Sequence, residues 1–138
     1  MQIRKAQPKD IPAAADLARK LALDYPGLEA DPLWVAEQDN EIIGLVALKT
    51  RPDCLELCAL GVDPRSQGRG VGRALIEALI AEAPGEVHLA TIIPGFFIGS
   101  GFHIVKEAIP GTFPAKRKTA WCEGCPREHC TVMSRGKQ

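Results

Sequence analysis

Glycine recurs at alternate positions in Gln67-Gly68-Arg69-Gly70-Val71-Gly72, directly ahead of Arg73-Ala74-Leu75-Ile76-Glu77-Ala78-Leu79, which has the spacing of an amphipathic helix. A residue without Cβ lets the backbone turn tightly and lets a ligand approach it. Successive N–H groups at a helix mouth form an anion cradle, reinforced by the positive end of the helix dipole. One glycine would suffice for a plain turn, so three in alternation point to a phosphate-bearing ligand rather than to a bare helix entry. Two phosphate motifs fail on spacing. A P-loop requires Lys and then Ser or Thr after its last glycine, where this chain has Arg73-Ala74. A dinucleotide fingerprint counted from Gly68 requires glycine at position 73 and a strand immediately before, where Asp63-Pro64-Arg65-Ser66 intervenes.

A second group with chemical potential is Glu56, the one carboxylate in the otherwise apolar run Cys54 to Val62. Strand alternation places Cys54, Glu56, Cys58 and Leu60 on one face and Leu55, Leu57, Ala59 and Gly61 on the other. A buried charge is costly without a partner. Glu56 is therefore either a general base or a carboxylate paired with a neighbouring cation.

A third cluster is Cys122-Glu123-Gly124-Cys125-Pro126-Arg127-Glu128-His129-Cys130. The C-x-x-C spacing lets two thiolates reach one ion across a tight turn. Cys122, Cys125 and Cys130, with His129 or His103 as fourth ligand, would complete a tetrahedral zinc site. A disulfide-capable pair and three ordinary thiols are the alternatives. Lys116-Arg117-Lys118 lies close by, either a recognition element for an acidic acceptor or a solvated charge run.

The elements that must position these groups follow from pattern. Ile3 to Ala6 reads as a strand, and Asp10 as the N-cap of a helix through Leu23, with Pro12 tolerated in its first turn. Leu33 to Glu37 and Glu41 to Lys49 form a hairpin around Gln38-Asp39-Asn40. Cys54 to Val62 is the third strand of the meander, and Gly70 to Ala83 is a helix. Val87 to Ile93 is an apolar strand covered on both faces. Pro94 to Ser100 is a short helix ended by Gly101, Phe102 to Glu107 a strand, and Thr131 to Arg135 a last one. The order β-α-β-β-β-α-β-α-β-β predicts an α/β fold: a mixed, twisted sheet of six to seven strands with helices on both faces.

With 138 residues the chain suits one domain, with a Cys-containing insert at about 108–130. Its 17 basic and 17 acidic side chains cancel, so no global field exists to hold nucleic acid. No apolar run approaches a membrane span, and the opening residues lack a signal-peptide core, which makes a cytoplasmic location the expectation. The five cysteines fit that setting, since reduced Cys54 and Cys58 suit a strand core.

The stretch Leu55 to Pro64 followed by Gln67-x-x-Gly70-x-Gly72 resembles the acetyl-CoA signature of the GNAT N-acetyltransferase superfamily. Phe96-Phe97-Ile98-Gly99-Ser100-Gly101-Phe102 resembles that family's Phe-Tyr-x-x-x-Gly-Phe element. The resemblance covers about residues 1 to 107 and implies the same fold. It implies that Gln67, Gly68, Arg69, Gly70, Val71 and Gly72 seat the pyrophosphate of acetyl-CoA, with Arg69 and Arg73 adding charge. It implies that the pantetheine arm pairs along Leu60, Gly61 and Val62, and that Phe97 packs beside the thioester. Glu56 falls where many members carry a base, and the family's acid position holds Phe97, which cannot donate a proton. The only tyrosine, Tyr25, lies after the first helix, in a region that often lines the acceptor pocket. Dimers are frequent in the family.

The cysteine tail is similar to the ending of short acetylglutamate-synthase-type amino-acid N-acetyltransferases. Their carboxylate-holding arginine would fall at Cys58, a departure that counts against glutamate as acceptor. The leading expectation is an acetyl-CoA-dependent N-acetyltransferase acting on a small amine or amino acid. Its rivals are an acyl-CoA-binding regulatory module that has lost its acid and a metal-stabilised interaction domain.

Overall fold

Apolar residues at positions 14, 17 and 18 alternate with Asp16, Arg19 and Lys20, and this period builds the first helix. A computed structural model describes residues 1–116 and 130–136. Its elements are β1 (Gln2–Lys5), α1 (Ile11–Lys20), β2 (Leu33–Gln38), β3 (Glu41–Thr50), β4 (Leu55–Val62), α2 (Val71–Glu82), β5 (Val87–Thr91), α3 (Pro94–Ile98), β6 (His103–Ile104), α4 (Thr112–Lys116) and β7 (Thr131–Arg135). The seven strands form a mixed sheet in the order β1-β2-β3-β4-β5-β7-β6. The chain divides into two compact units, Met1–Lys49 with Leu57–Glu82, and Thr50–Glu56 with Ala83–Gln138.

In the first unit, β1, β2 and β3 are antiparallel neighbours. Asp39 and Asn40 turn the hairpin with φ of 51° and 63°, the left-handed pair that a two-residue loop requires. One face of the sheet contributes Leu33, Val35, Leu45 and Ala47 to a buried cluster with Ala14, Leu17 and Ala18 of α1. The opposite face presents Trp34, whose Nε1 donates to Glu82 Oε2 of α2 at 2.6 Å. Helices therefore cover both faces of this unit, as the pattern predicts. The buried residues of α2, Val71, Leu75 and Leu79 beside Gly72, Ile76 and Ile80, form two stripes at a spacing of four.

Asp10 departs from its expected role. Its side chain caps nothing in α1. The carboxylate instead accepts from the Gln7 N–H at 2.7 Å and from Arg4 at 2.6 and 3.0 Å. Arg4 holds the Asp10 carboxyl down at about 2, against an ordinary 3.8. A depressed carboxyl stabilises the fold above its unfolded value and loses that contribution as pH falls through its folded one. Asp10→Asn is expected to cost on the order of 1–3 kcal/mol at pH 7. The gap to wild type should close near pH 2, as read from urea midpoints at the two pH values.

The first helix also ends early, at Lys20. Ala22 takes a φ of 57°, so Leu21 and Leu23 continue the apolar pattern but not the helix.

In the second unit, β5 is antiparallel to β7 over all five of its residues, and β6 pairs with β7 through His103 and Ile104 alone. The expected strand Phe102 to Glu107 is thus reduced to two residues. The start of β4 runs parallel to β5 at Leu55↔Val87 and Glu56↔His88. The insert expected at about 108–130 contains α4, whose first residue is anchored from a distance. Thr112 donates through its N–H at 3.2 Å and its hydroxyl at 2.7 Å to the Asp53 carboxylate, and these bonds hold that carboxyl below its usual range.

Candidate functional site

The first unit builds the glycine-rich turn in steps. Strand β4 is followed by a 3-10 turn over Pro64–Ser66, where Asp63 Oδ1 accepts the Arg65 N–H at 2.9 Å. The Arg65 guanidinium folds back on Asp63 at 3.0 Å and holds that carboxyl low, which commits this arginine to its own turn. Gln67 Nε2 donates to the Val62 carbonyl at 3.1 Å and ties the turn to the strand end.

Gly68 and Gly70 both sit at φ +80°, the left-handed region closed to most side chains. A Cβ on either would meet nothing within 4 Å, so both face open space. Among the described residues, no backbone N–H from Gln67 to Arg73 donates to a carbonyl, and Ala74 is the first to do so, to Gly70 at 3.0 Å. Backbone amides without a carbonyl partner thus run up to the mouth of the 12-residue helix α2. Arg69 and Arg73 are exposed beside it, and neither makes an ion pair among the described residues.

Leu60, Gly61 and Val62 end strand β4, but Ala59 precedes them at φ +53°. A left-handed residue within a strand marks a bulge and shifts the alternation beyond it. The expected common face of Glu56, Cys58 and Leu60 therefore does not extend to Leu60. Gly61 is buried in a tight spot, where a Cβ would lie 2.4 Å from Leu23 Cδ1 and 2.8 Å from Leu21 Cδ1. Gly61→Val should cost about 1–3 kcal/mol by overpacking, readable as a lower Tm.

The second unit holds Glu56, which is 2 % exposed. Arg51 Nε donates to its Oε1 at 2.8 Å across the turn closed by Arg51 N–H to the Cys54 carbonyl. The pairing with a cation is thus realised, and it supplies the charge compensation a buried carboxylate needs. Arg51 stands in the sequence only as a turn residue, and its closeness to Glu56 follows from that turn. Burial, with Asp53 and Glu56 adding to it, pushes the Cys54 thiol up to about 11, so it stays protonated and is no nucleophile.

Phe97 is buried, with its ring edge-to-face against Phe96 at 5.0 Å and Phe102 at 5.7 Å. Gly101 closes this segment at φ +87°, with Arg135 donating to the Ser100 carbonyl at 2.9 Å. Tyr25, in the first unit, donates its hydroxyl to Asp31 at 2.6 Å beneath Lys49, which pairs with the same carboxylate at 3.3 Å. This is a structural clasp. Cys122, Cys125 and His129, and the basic run at 116–118, lie outside the described residues or side chains, and so does a metal or disulfide reading of them. Cys130 is partly buried ahead of β7. Among the described residues no group of three His, Cys, Asp or Glu is placed to hold a metal, and no helix is long and apolar enough to cross a membrane.

The chain is 41% identical over 51 residues to the mycothiol acetyltransferase of Thermomonospora curvata, a match spanning 36% of this chain and 17% of that protein. N-acetylglutamate synthase from Neisseria gonorrhoeae, complexed with coenzyme A and N-acetyl-glutamate, superposes with a TM-score of 0.79 at 23% identity. That match covers 99% of this chain and 35% of the synthase. Rv2747 from Mycobacterium tuberculosis, solved with CoA, gives 0.72 at 21% identity and covers 99% of both chains. These two likenesses show the fold. The model of the acetyltransferase (GNAT) family matches residues 4–95, two thirds of the sequence, from within β1 to the start of α3. The chain belongs to the acetyltransferase (GNAT) family.

Proposed function

We propose that this chain transfers the acetyl group of acetyl-CoA to the primary amine of a small molecule or amino acid by direct attack, as a single cytoplasmic domain over residues 1–138. The observation that carries the reading is the open amide run at Gly68 and Gly70, both at φ +80° with empty space where a side chain would stand. Gln67 to Gly72 would seat the diphosphate, with Arg69 and Arg73 as free cations beside it. The Leu60-Gly61-Val62 strand end would pair with the amides of the pantetheine arm, an extended peptide-like chain suited to strand addition. Phe97 would form an apolar wall for the thioester.

An attacking amine must be neutral, and an alkylammonium holds its proton to about pH 10.4. Glu56 is the proposed base, with Arg51 fixing its carboxylate and keeping a charge tolerable at this depth. The thioester supplies the activated acyl group, and negative charge developing on its carbonyl oxygen calls for an N–H donor. No side-chain acid is needed if the leaving thiolate departs unaided, which suits phenylalanine at 97. An amino-acid acceptor is supported by the N-acetyl-glutamate bound in the Neisseria neighbour, while Cys58 in place of a carboxylate-binding arginine counts against glutamate itself. A homodimer is the assembly the family leads us to expect.

The burial of Phe97 without a hydroxyl favours one rival, an acyl-CoA-binding module with little turnover. Both readings are tested by mixing the protein with acetyl-CoA and a panel of primary amines that includes the common amino acids, and following free thiol. Acceptor-dependent release establishes the transferase. Binding of CoA with no release across the panel establishes the module.

A further inference from the structure

A base that is 2 % exposed must still lose its proton once in every turnover, and Glu56 has little solvent of its own to lose it to. The strand register supplies a route. Glu56 stands opposite His88, His88 opposite Ser134, and Ser134 opposite His103. Register partners on neighbouring strands project from the same face, so these four side chains form one row across β4, β5, β7 and β6. The outer end of the row reaches water. The Ser134 hydroxyl, 1 % exposed, donates to Glu86 Oε2 at 3.0 Å and lies 3.3 Å from His103 Nε2, and both partners are exposed.

His88 is the middle member. Among the described residues its Nδ1 is buried without a hydrogen-bond partner, and its ring lies against Phe113 of α4, centroids 6.4 Å apart. An orphaned imidazole nitrogen in a protein interior is costly unless it is put to use. Phe113 is 3 % exposed and roofs the ring with an apolar surface, while Asp53 pins the start of its helix. Among the described residues, the ionisable groups on this face, or beside it, are Glu56 with its Arg51, Cys54, Glu86, His103 and Asp53.

We propose that His88 relays protons for Glu56. This rests on the reading of Glu56 as base. The amine N–H bond breaks as the Glu56 O–H bond forms. That O–H bond then breaks as a water between the two side chains takes the proton and passes one on to Nδ1 of His88, which bonds to no described residue directly, and the imidazolium releases a proton from its other nitrogen toward Ser134, His103 and water. His88 never touches the substrate. It acts through Glu56 and restores its ionised state.

The test has two arms. In the first, the protein alone is labelled with ¹⁵N and the His88 ring nitrogens are observed by NMR in wild type and in Glu56→Gln. Loss of the carboxylate opposite it should move the His88 ring signals. Unmoved His88 signals overturn the relay. In the second arm, thiol release is measured with acetyl-CoA and the best amine of the panel. His88→Gln should lower kcat about tenfold or more, with the CoA Kd unchanged and with partial recovery on adding free imidazole. His88→Asn serves if the glutamine variant fails to fold. A His88 variant with wild-type kcat overturns the relay while leaving the base reading intact. If instead Glu56→Gln keeps a wild-type pH–rate profile, the base reading itself falls, and the relay with it.

Discussion

Replacing Gly68 and Gly70 together by alanine should weaken CoA binding by about 30- to 1000-fold while the protein stays folded. Each glycine holds a φ of +80°. Alanine in that region costs roughly 1–2 kcal/mol, so the pair costs about 2–4, and 1.4 kcal/mol is a factor of ten. No neighbour within 4 Å resists the added methyl groups, so the penalty falls on conformation and not on packing. The turn relaxes to shapes that aim its amides elsewhere, and apparent affinity falls with the population still competent to bind. Calorimetric titration with CoA reads the affinity, and far-UV circular dichroism reads the fold. An intact fold with unchanged affinity would remove the cradle from the account.

Glu56→Gln should lower kcat by about 10²- to 10⁴-fold, the range for loss of a positioned base. The amide keeps an oxygen to accept from Arg51 Nε, now 2.8 Å from the carboxylate, so the half-buried guanidinium keeps its partner. Binding of CoA should change less than about twofold, because the proposed diphosphate seat is made of the backbone amides of residues 67–72, which the substitution leaves in place. The pH dependence carries the diagnosis: the limb that reports deprotonation of the base should vanish, leaving a rate that rises only with the free amine. Loss of activity with the limb preserved would assign Glu56 to scaffolding through Arg51.

What could be read in the chain was whatever the backbone demands of particular residue types. Gly68 and Gly70 are visible because only glycine occupies their conformation cheaply, and Asp39-Asn40 because a two-residue hairpin asks for left-handed pairs. The stripes of α2 follow from its period. Elements that depend on a distant partner were hidden. Helix α4 begins where Pro110-Gly111 signals a loop, and its anchor is Asp53, nearly sixty residues away in sequence. Asp10 has the type of an N-cap, yet Arg4 and Gln7 outcompete the helix for its carboxylate. Leu21 and Leu23 extend the apolar period past the true end of α1 because burial pattern and helical backbone are separate requirements.

The candidate site divides in the same way. The glycine-rich turn is local in sequence, and its backbone is legible. The row from Glu56 to His103 exists only once four strands are in register, and no spacing along the chain announces it. Nor does Ala59 betray its backbone, since alanine is equally at home in a strand.

That last residue inverts the usual preferences of its element. At φ +53° a branched Cβ is strongly disfavoured, so valine, isoleucine and threonine, the residues that best suit strands elsewhere, are the worst choices at position 59. Glycine or asparagine, poor strand formers by any general scale, would be accepted there. A designer who refilled β4 toward ideal strand composition would place at position 59 the residues least able to hold its left-handed backbone.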